Sequence, residues 1–128
     1  MITSSYAAVL ALFFILLSMR VIALRGNPLF AFLKTNIDDK RSLDRAIRGH
    51  ANFAEYKPLM LVLMILAEQS GTAVIMLHVC GAMFTLGRLA HGLCFGFMKH
   101  SMVLRTGGMG LSLAALGAIA IALLQTIL

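Results

Sequence analysis

The stretch "RAIRGHANFAEYKP", residues 45–58, opens what otherwise looks like a membrane span, yet it carries Arg45, Arg48, His50, Asn52, Glu55 and Lys57. The apolar run that follows, Pro58 to Ala67, is only ten residues long. A helix needs about 20 residues to cross roughly 30 Å of hydrocarbon, so this run covers about half the depth. The other half has to come from the charged opening. A spanning helix here places Asn52 and Glu55 inside the bilayer and Arg48 near its boundary.

Three plainer segments surround that helix. Of the 128 residues, 60% are hydrophobic and 12% charged, against roughly 25% charged in an ordinary soluble domain, and the mean hydropathy is +0.92. Apolar stretches run over Tyr6–Met19, Thr72–Leu86 and Thr106–Leu128, the last being 23 residues without a formal charge. The expected fold is all-α: an integral membrane four-helix bundle, one domain over residues 1–128, with helices at about 4–24, 43–69, 72–98 and 103–128. The first segment is not read as a signal peptide, because it has no basic n-region and further spans follow. In the first loop Asn27-Pro28 breaks the helix, and Asp38-Asp39 favours the next N-terminus. Pro58 removes the bond to the Ala54 carbonyl and predicts a kink one turn beyond Glu55.

Lys and Arg are unevenly placed. Arg20, Arg25, Lys34, Lys40, Arg41, Arg45 and Arg48 surround the first loop and Lys99 and Arg105 the third, while the second loop and both termini have none. By the positive-inside rule loops one and three face the cytoplasm and both termini lie outside. The compact loops point to a bacterial inner membrane. A net charge of +6 invites a nucleic-acid partner, but these residues flank spans, with no soluble fold to present them. Attraction to anionic headgroups accounts for them, and Arg20, Lys34, Lys40, Arg41 and Lys99 are read as side chains that snorkel to that layer. Cys80 and Cys94 fall on one helix about 21 Å apart and cannot pair within it. Without a CxxC they suggest no thiolate metal site, and no metal is expected. Gly92 and Gly96, and Gly110, Ala114 and Gly117, have the spacing of close helix packing.

The chemistry-bearing residues fall into register. At 100° per residue, Arg45, Arg48, Asn52 and Glu55 form one stripe, with His50 and Lys57 on the other side. On the third helix Arg88, His91 and Phe95 lie within about 60° of one another. Arg25 ends the first span and Arg105 begins the fourth at the same level, so four helices deliver cations to one layer, with a carboxylate and an amide deeper. A buried carboxylate is costly unless paired, so Glu55 marks a function, the structural alternative being an Arg48–Glu55 ion pair that fixes packing. His78, in the apolar outer half of the third helix, is read as a structural hydrogen-bonding residue. Arginine forks suit carboxylates, and a carboxylate suits an amine. An arginine beside a thiol would favour the thiolate. Glutathione meets these requirements, although the residues permit it without singling it out.

With "GRLAHGLCF" on the third span, the R-x-x-x-N-x-x-E-Y core of the opening stretch resembles the membrane-associated proteins in eicosanoid and glutathione metabolism, the MAPEG family. The resemblance covers essentially the whole chain. It implies a homotrimer, with glutathione as co-substrate between neighbouring subunits and a lipophilic substrate arriving from the bilayer. By matching positions, Arg48, Asn52, Glu55 and Tyr56 resemble the glutathione-contacting set of the second helix and Arg25 the arginine closing the first. Arg88 and His91 match a GR-x-x-H pattern, and Arg105 resembles the arginine that activates the thiolate. Phe95 departs from the pattern, standing where enzymes of the family often have tyrosine.

The expected function is thus a glutathione transferase, with peroxidase action on lipid hydroperoxides, in detoxification. Two rivals are a non-catalytic lipid-binding scaffold and a small proton-coupled transporter using Glu55. The intact second-helix motif counts against the scaffold, and the gathering of polar groups at one end counts against the transporter.

Overall fold

The computed structural model describes all residues, 1–128. Four α-helices follow in order, α1 (Ile2–Leu24), α2 (Ser42–Gln69), α3 (Val74–Phe97) and α4 (Met102–Ile127), with a 3-10 segment, Pro28–Leu33, between the first two. Helices α1, α3 and α4 are long and apolar enough to cross a membrane. The charged first half of α2 keeps it out of that set.

Each boundary has a local cause. Helix α1 begins at Ile2 because a residue 66 positions away caps it: Glu68 accepts from the Ile2 and Thr3 amides at 2.6 and 3.0 Å and from the Thr3 hydroxyl at 2.7 Å. Two orphan amide donors of a helix N-terminus, and the Thr3 hydroxyl beside them, are thereby satisfied by the end of α2. The turn out of α2 uses Gly71 at φ +81°, a left-handed conformation that favours glycine. That turn takes up Thr72 and starts α3 at Val74, two residues beyond the expected position.

The expected loop over 26–42 is more ordered than the sequence suggested. Asn27 accepts from the Leu29 amide at 2.9 Å, and Pro28 occupies the first turn of the 3-10 segment. Asp39 prepares the start of α2, accepting from the Arg41 amide at 2.9 Å and the Ser42 hydroxyl at 3.3 Å. These contacts, the Arg41 amide foremost, hold its carboxyl below the usual range. Helix α2 continues through Pro58 to Gln69.

Asp38 does something different, and it corrects the reading of Arg20 as a snorkelling side chain. Arg20 is 1% exposed. Its guanidinium pairs with both Asp38 carboxylate oxygens and donates to the Gly96 and Leu33 carbonyls at 2.7 and 2.6 Å. Thus one side chain ties α1 to the first loop and to the end of α3. The bond from Arg20, supported by Thr35, holds the Asp38 carboxyl down to about 2.

The apolar centre is built by Leu10, Phe13, Leu17, Phe53, Met64 and Phe84, with Ile119 from α4. Helices α3 and α4 lie closest: a Cβ at Gly87 would sit 2.6 Å from both the Gly108 carbonyl oxygen and the Ser112 hydroxyl. In lipid, where apolar burial gives little drive, such approach lets packing and hydrogen bonds join the helices. Gly92 likewise faces the Phe13 ring of α1, whereas Gly110 and Gly117 have nothing near them. The small-residue pattern therefore divides, α3 using it inward and α4 presenting it outward. His78 meets the Tyr6 hydroxyl at 3.0 Å through Nδ1, and the same hydroxyl donates to its carbonyl at 3.1 Å.

Candidate functional site

At the basic end of the molecule α2, α3 and α4 enclose a trough of about 380 Å³, lined by Arg48, Asn52, His91, Phe95, Arg105, Thr106 and Met109. This lies within the roughly 300–1,000 Å³ range of small-molecule sites. Arg48 and Asn52 reach it because they lie four residues apart on one face of α2. His91 and Phe95 are related in the same way on α3, and their rings stack with centroids 4.7 Å apart. The Arg105 guanidinium lies over Phe95, 5.5 Å from the ring centre.

Beneath the trough sits Arg88, fully buried. It donates from Nε to the Ser112 hydroxyl at 2.8 Å and from Nη1 to Asn52 Oδ1 at 2.7 Å. The Ser112 hydroxyl in turn donates a hydrogen bond to the Gly108 carbonyl at 2.7 Å. The Tyr56 ring flanks the guanidinium at 5.2 Å. None of these partners is anionic: the molecule's two ion pairs are Arg20–Asp38 and Arg45–Asp39. A cation without a counter-charge in a low-dielectric site is a standing attraction for an anion. Asn52, committed through its oxygen, has its amide N–H groups left to donate.

Two residues assigned to the same site stand elsewhere. Arg25 is exposed and lines a second hollow, about 300 Å³, with Ser18, Val21, Ile22, Ile47 and His50. That hollow lies between α1 and α2, on the side of α2 that bears His50 instead of Arg48. Glu55 is exposed and unpaired, so the structural alternative of an Arg48–Glu55 ion pair is not what the fold contains. Within one subunit the trough therefore joins Arg48, Asn52, His91 and Arg105 over Arg88 and Tyr56, and leaves Arg25 and Glu55 apart.

Sequence reasoning missed Ser112, Thr106 and Met109. Ser112 could have been noticed as the hydroxyl in the middle of an apolar helix, but nothing local says that it faces Arg88. It also passed over the α1–α2 side, where the Ser18 hydroxyl donates to the Phe14 carbonyl at 2.9 Å and therefore accepts from His50 Nε2 at 2.9 Å. His50 also stacks on Phe14, with centroids 4.7 Å apart, and Lys57 lies 4.2 Å over the same ring.

The model of the MAPEG family matches residues 3–125. The chain belongs to the MAPEG family. Among curated relatives it is similar to the inner membrane protein YecN of Escherichia coli K12, 34% identical over 116 residues that cover 91% of this chain and 85% of that protein. YecN of a second Escherichia coli strain, O6:H1, matches to the same extent. MAPEG membership fits a membrane protein of glutathione-related function. The name of the relative gives a location, an inner membrane, and no activity.

Proposed function

We propose that this MAPEG protein is a glutathione-dependent membrane transferase that also reduces lipid hydroperoxides, working as a homotrimer. The observation that carries the reading is the trough itself, in which Arg48 and Arg105 face an amide and a histidine above the uncompensated charge of Arg88. The carboxylates of glutathione suit the arginine forks, and its amine suits Glu55. The separation of Arg25 from Arg48 also supports an assembly. A ring of subunits, each meeting its neighbour through a different face, would set the partner subunit's Arg25 against the trough.

In this mechanism Arg105 is the catalytic residue. Its positive charge stabilises the thiolate and lowers the thiol pKa. The sulfur then forms a bond to an electrophilic carbon, and the leaving group departs with its electron pair. With a lipid hydroperoxide the sulfur bonds to the terminal peroxide oxygen as the O–O bond breaks, and the lipid alkoxide takes a proton and leaves as an alcohol. The thiol of a second glutathione then displaces water from the resulting sulfenic acid to close the disulfide. Arg48 and the partner subunit's Arg25 hold carboxylates, with Arg88 adding its charge from beneath. Asn52 contacts the backbone, Glu55, one turn along α2 from Asn52, takes the amine, and Tyr56 and His91 form the walls. The basic end faces the cytoplasm, where the thiol is, and both termini lie outside.

The test is calorimetric titration of glutathione into the detergent-purified protein and into Arg48→Leu and Glu55→Gln. Saturable binding lost in both variants is the expected result. Absence of binding to the wild type would sink the reading. That outcome would point to the scaffold, which needs no thiol site; Phe95, which lacks the hydroxyl its position often carries, already leaves the thiol peptide one contact fewer.

A further inference from the structure

A third hollow, of about 410 Å³, shares Arg48, Phe95 and Arg105 with the trough and is walled besides by Arg41, Asp44, Arg45 and Lys99. Five cations face one carboxylate there. Only Arg45 is paired, held by Asp39 at 3.2 Å and by the Ser42 hydroxyl at 3.0 Å. Its Nε is buried without an acceptor, a costly state for a charged donor. Arg41, Arg48, Lys99 and Arg105 have no carboxylate partner.

Solvated surface cations ordinarily spread apart. Here they come from the start of α2, the α3–α4 connection and the start of α4, and converge on one concavity. Like charges within a Debye length of about 8 Å repel one another, so an anion among them stabilises the arrangement. A thiol peptide in the trough would use Arg48 and Arg105 and leave Arg41, Lys99 and the buried Nε of Arg45 unanswered. The chain beside these cations is apolar: Met98, next to Lys99, and Met102 and Val103, at the start of α4 ahead of Arg105, are exposed. Cations converging on one hollow with exposed apolar side chains next to them in the chain, at the ends of membrane-capable helices, match the chemistry of a headgroup with its acyl chains.

We infer that this hollow binds the phosphate of an anionic phospholipid, with Arg41, Arg45 and Lys99 as its dedicated donors and the acyl chains lying against Met98, Met102 and Val103. Arg48 and Arg105 are shared with the trough. Arg41 and Lys99 line the mouth alone, so they give the site a handle that leaves the trough intact.

The experiment titrates the full-length protein in detergent with short-chain phosphatidylglycerol, short-chain phosphatidylcholine and inorganic phosphate, beside the double variant Arg41→Gln/Lys99→Gln. Expected is saturable binding of phosphatidylglycerol, at least about tenfold tighter than either of the other two, and weakened about tenfold or more in the double variant. Equal binding of inorganic phosphate would overturn the lipid as occupant, and equal binding of phosphatidylcholine would overturn the charge argument. Unchanged binding in the double variant would overturn the location. Both substituted side chains are exposed, so an unchanged melting temperature checks the fold. Glutathione titration of the same variant separates this proposal from the thiol reading, since the trough does not include either residue.

Discussion

Arg20 and Arg88 are both buried to 1% exposure or less, on neighbouring helices toward the basic end, yet their surroundings are opposite. Arg20 meets both oxygens of Asp38 and two backbone carbonyls, so its charge is cancelled where it lies. Arg88 meets an amide oxygen, a hydroxyl, a thioether and aromatic faces. Those dipoles hold its position without removing its charge. The first arginine is spent on the architecture, and the second projects a positive potential into the trough above it. Burial alone therefore does not separate a structural cation from a functional one; the charge of the partners does.

The sharpest way to break this comparison is to remove one partner of the neutralised pair. Arg20→Met leaves the Asp38 carboxylate without a counter-charge, held by Thr35 alone, and two carbonyls without their donor. It should cost about 3 kcal/mol, the low end for breaking a buried pair because Asp38 is partly exposed. A large drop in melting temperature in detergent is the readout, with glutathione affinity little changed in the fraction that stays folded. Arg88→Met should show the reverse pattern. It strands dipoles and no charge, so it should melt above Arg20→Met, while glutathione affinity falls by about tenfold or more, about 1.4 kcal/mol. Two variants with the same melting temperature and the same affinity would erase the distinction.

Acid gives a third handle, on one side of the comparison only. The folded-state value of Asp38 is about 2 against an ordinary 3.8. A depressed carboxylate contributes stability that is present above its unfolded value and is lost as pH falls through the folded one. Melting temperature should decline from about pH 4 toward pH 2, and part of that decline should vanish in Arg20→Met. The smallest effect is expected from Ser112→Ala. It leaves Arg88 Nε without an acceptor and should cost about 1 kcal/mol, with glutathione affinity shifted by less than in Arg88→Met.

Much of the site was legible because it is written in helical register. Arg48 and Asn52, and His91 and Phe95, share faces at a spacing of four residues, and the opposite placement of His50 and Lys57 follows from the same angle. What the register could not supply was the relation between helices. Arg20 looked like one more basic residue at a span end because Asp38, eighteen residues away, had no visible tie to it. Ser112, 24 residues from Arg88, was invisible for the same reason. Arg25 and Glu55 were grouped with Arg48 on the strength of level and motif, and level does not specify which side of α2 a neighbouring helix presents.

The sequence by itself determined that this chain is helical, that three of its helices suit a membrane and that the second brings charge to one end, because apolar run length and 3.6-residue periodicity are local properties. Its motifs also carried the family. Only the tertiary structure decided which arginine is cancelled and which is left charged, that Glu68 caps the first helix, and that Arg25 lies across α2 from the trough. Those outcomes depend on distances between elements, set by how side chains such as Phe13 and glycines such as Gly87 let the helices approach.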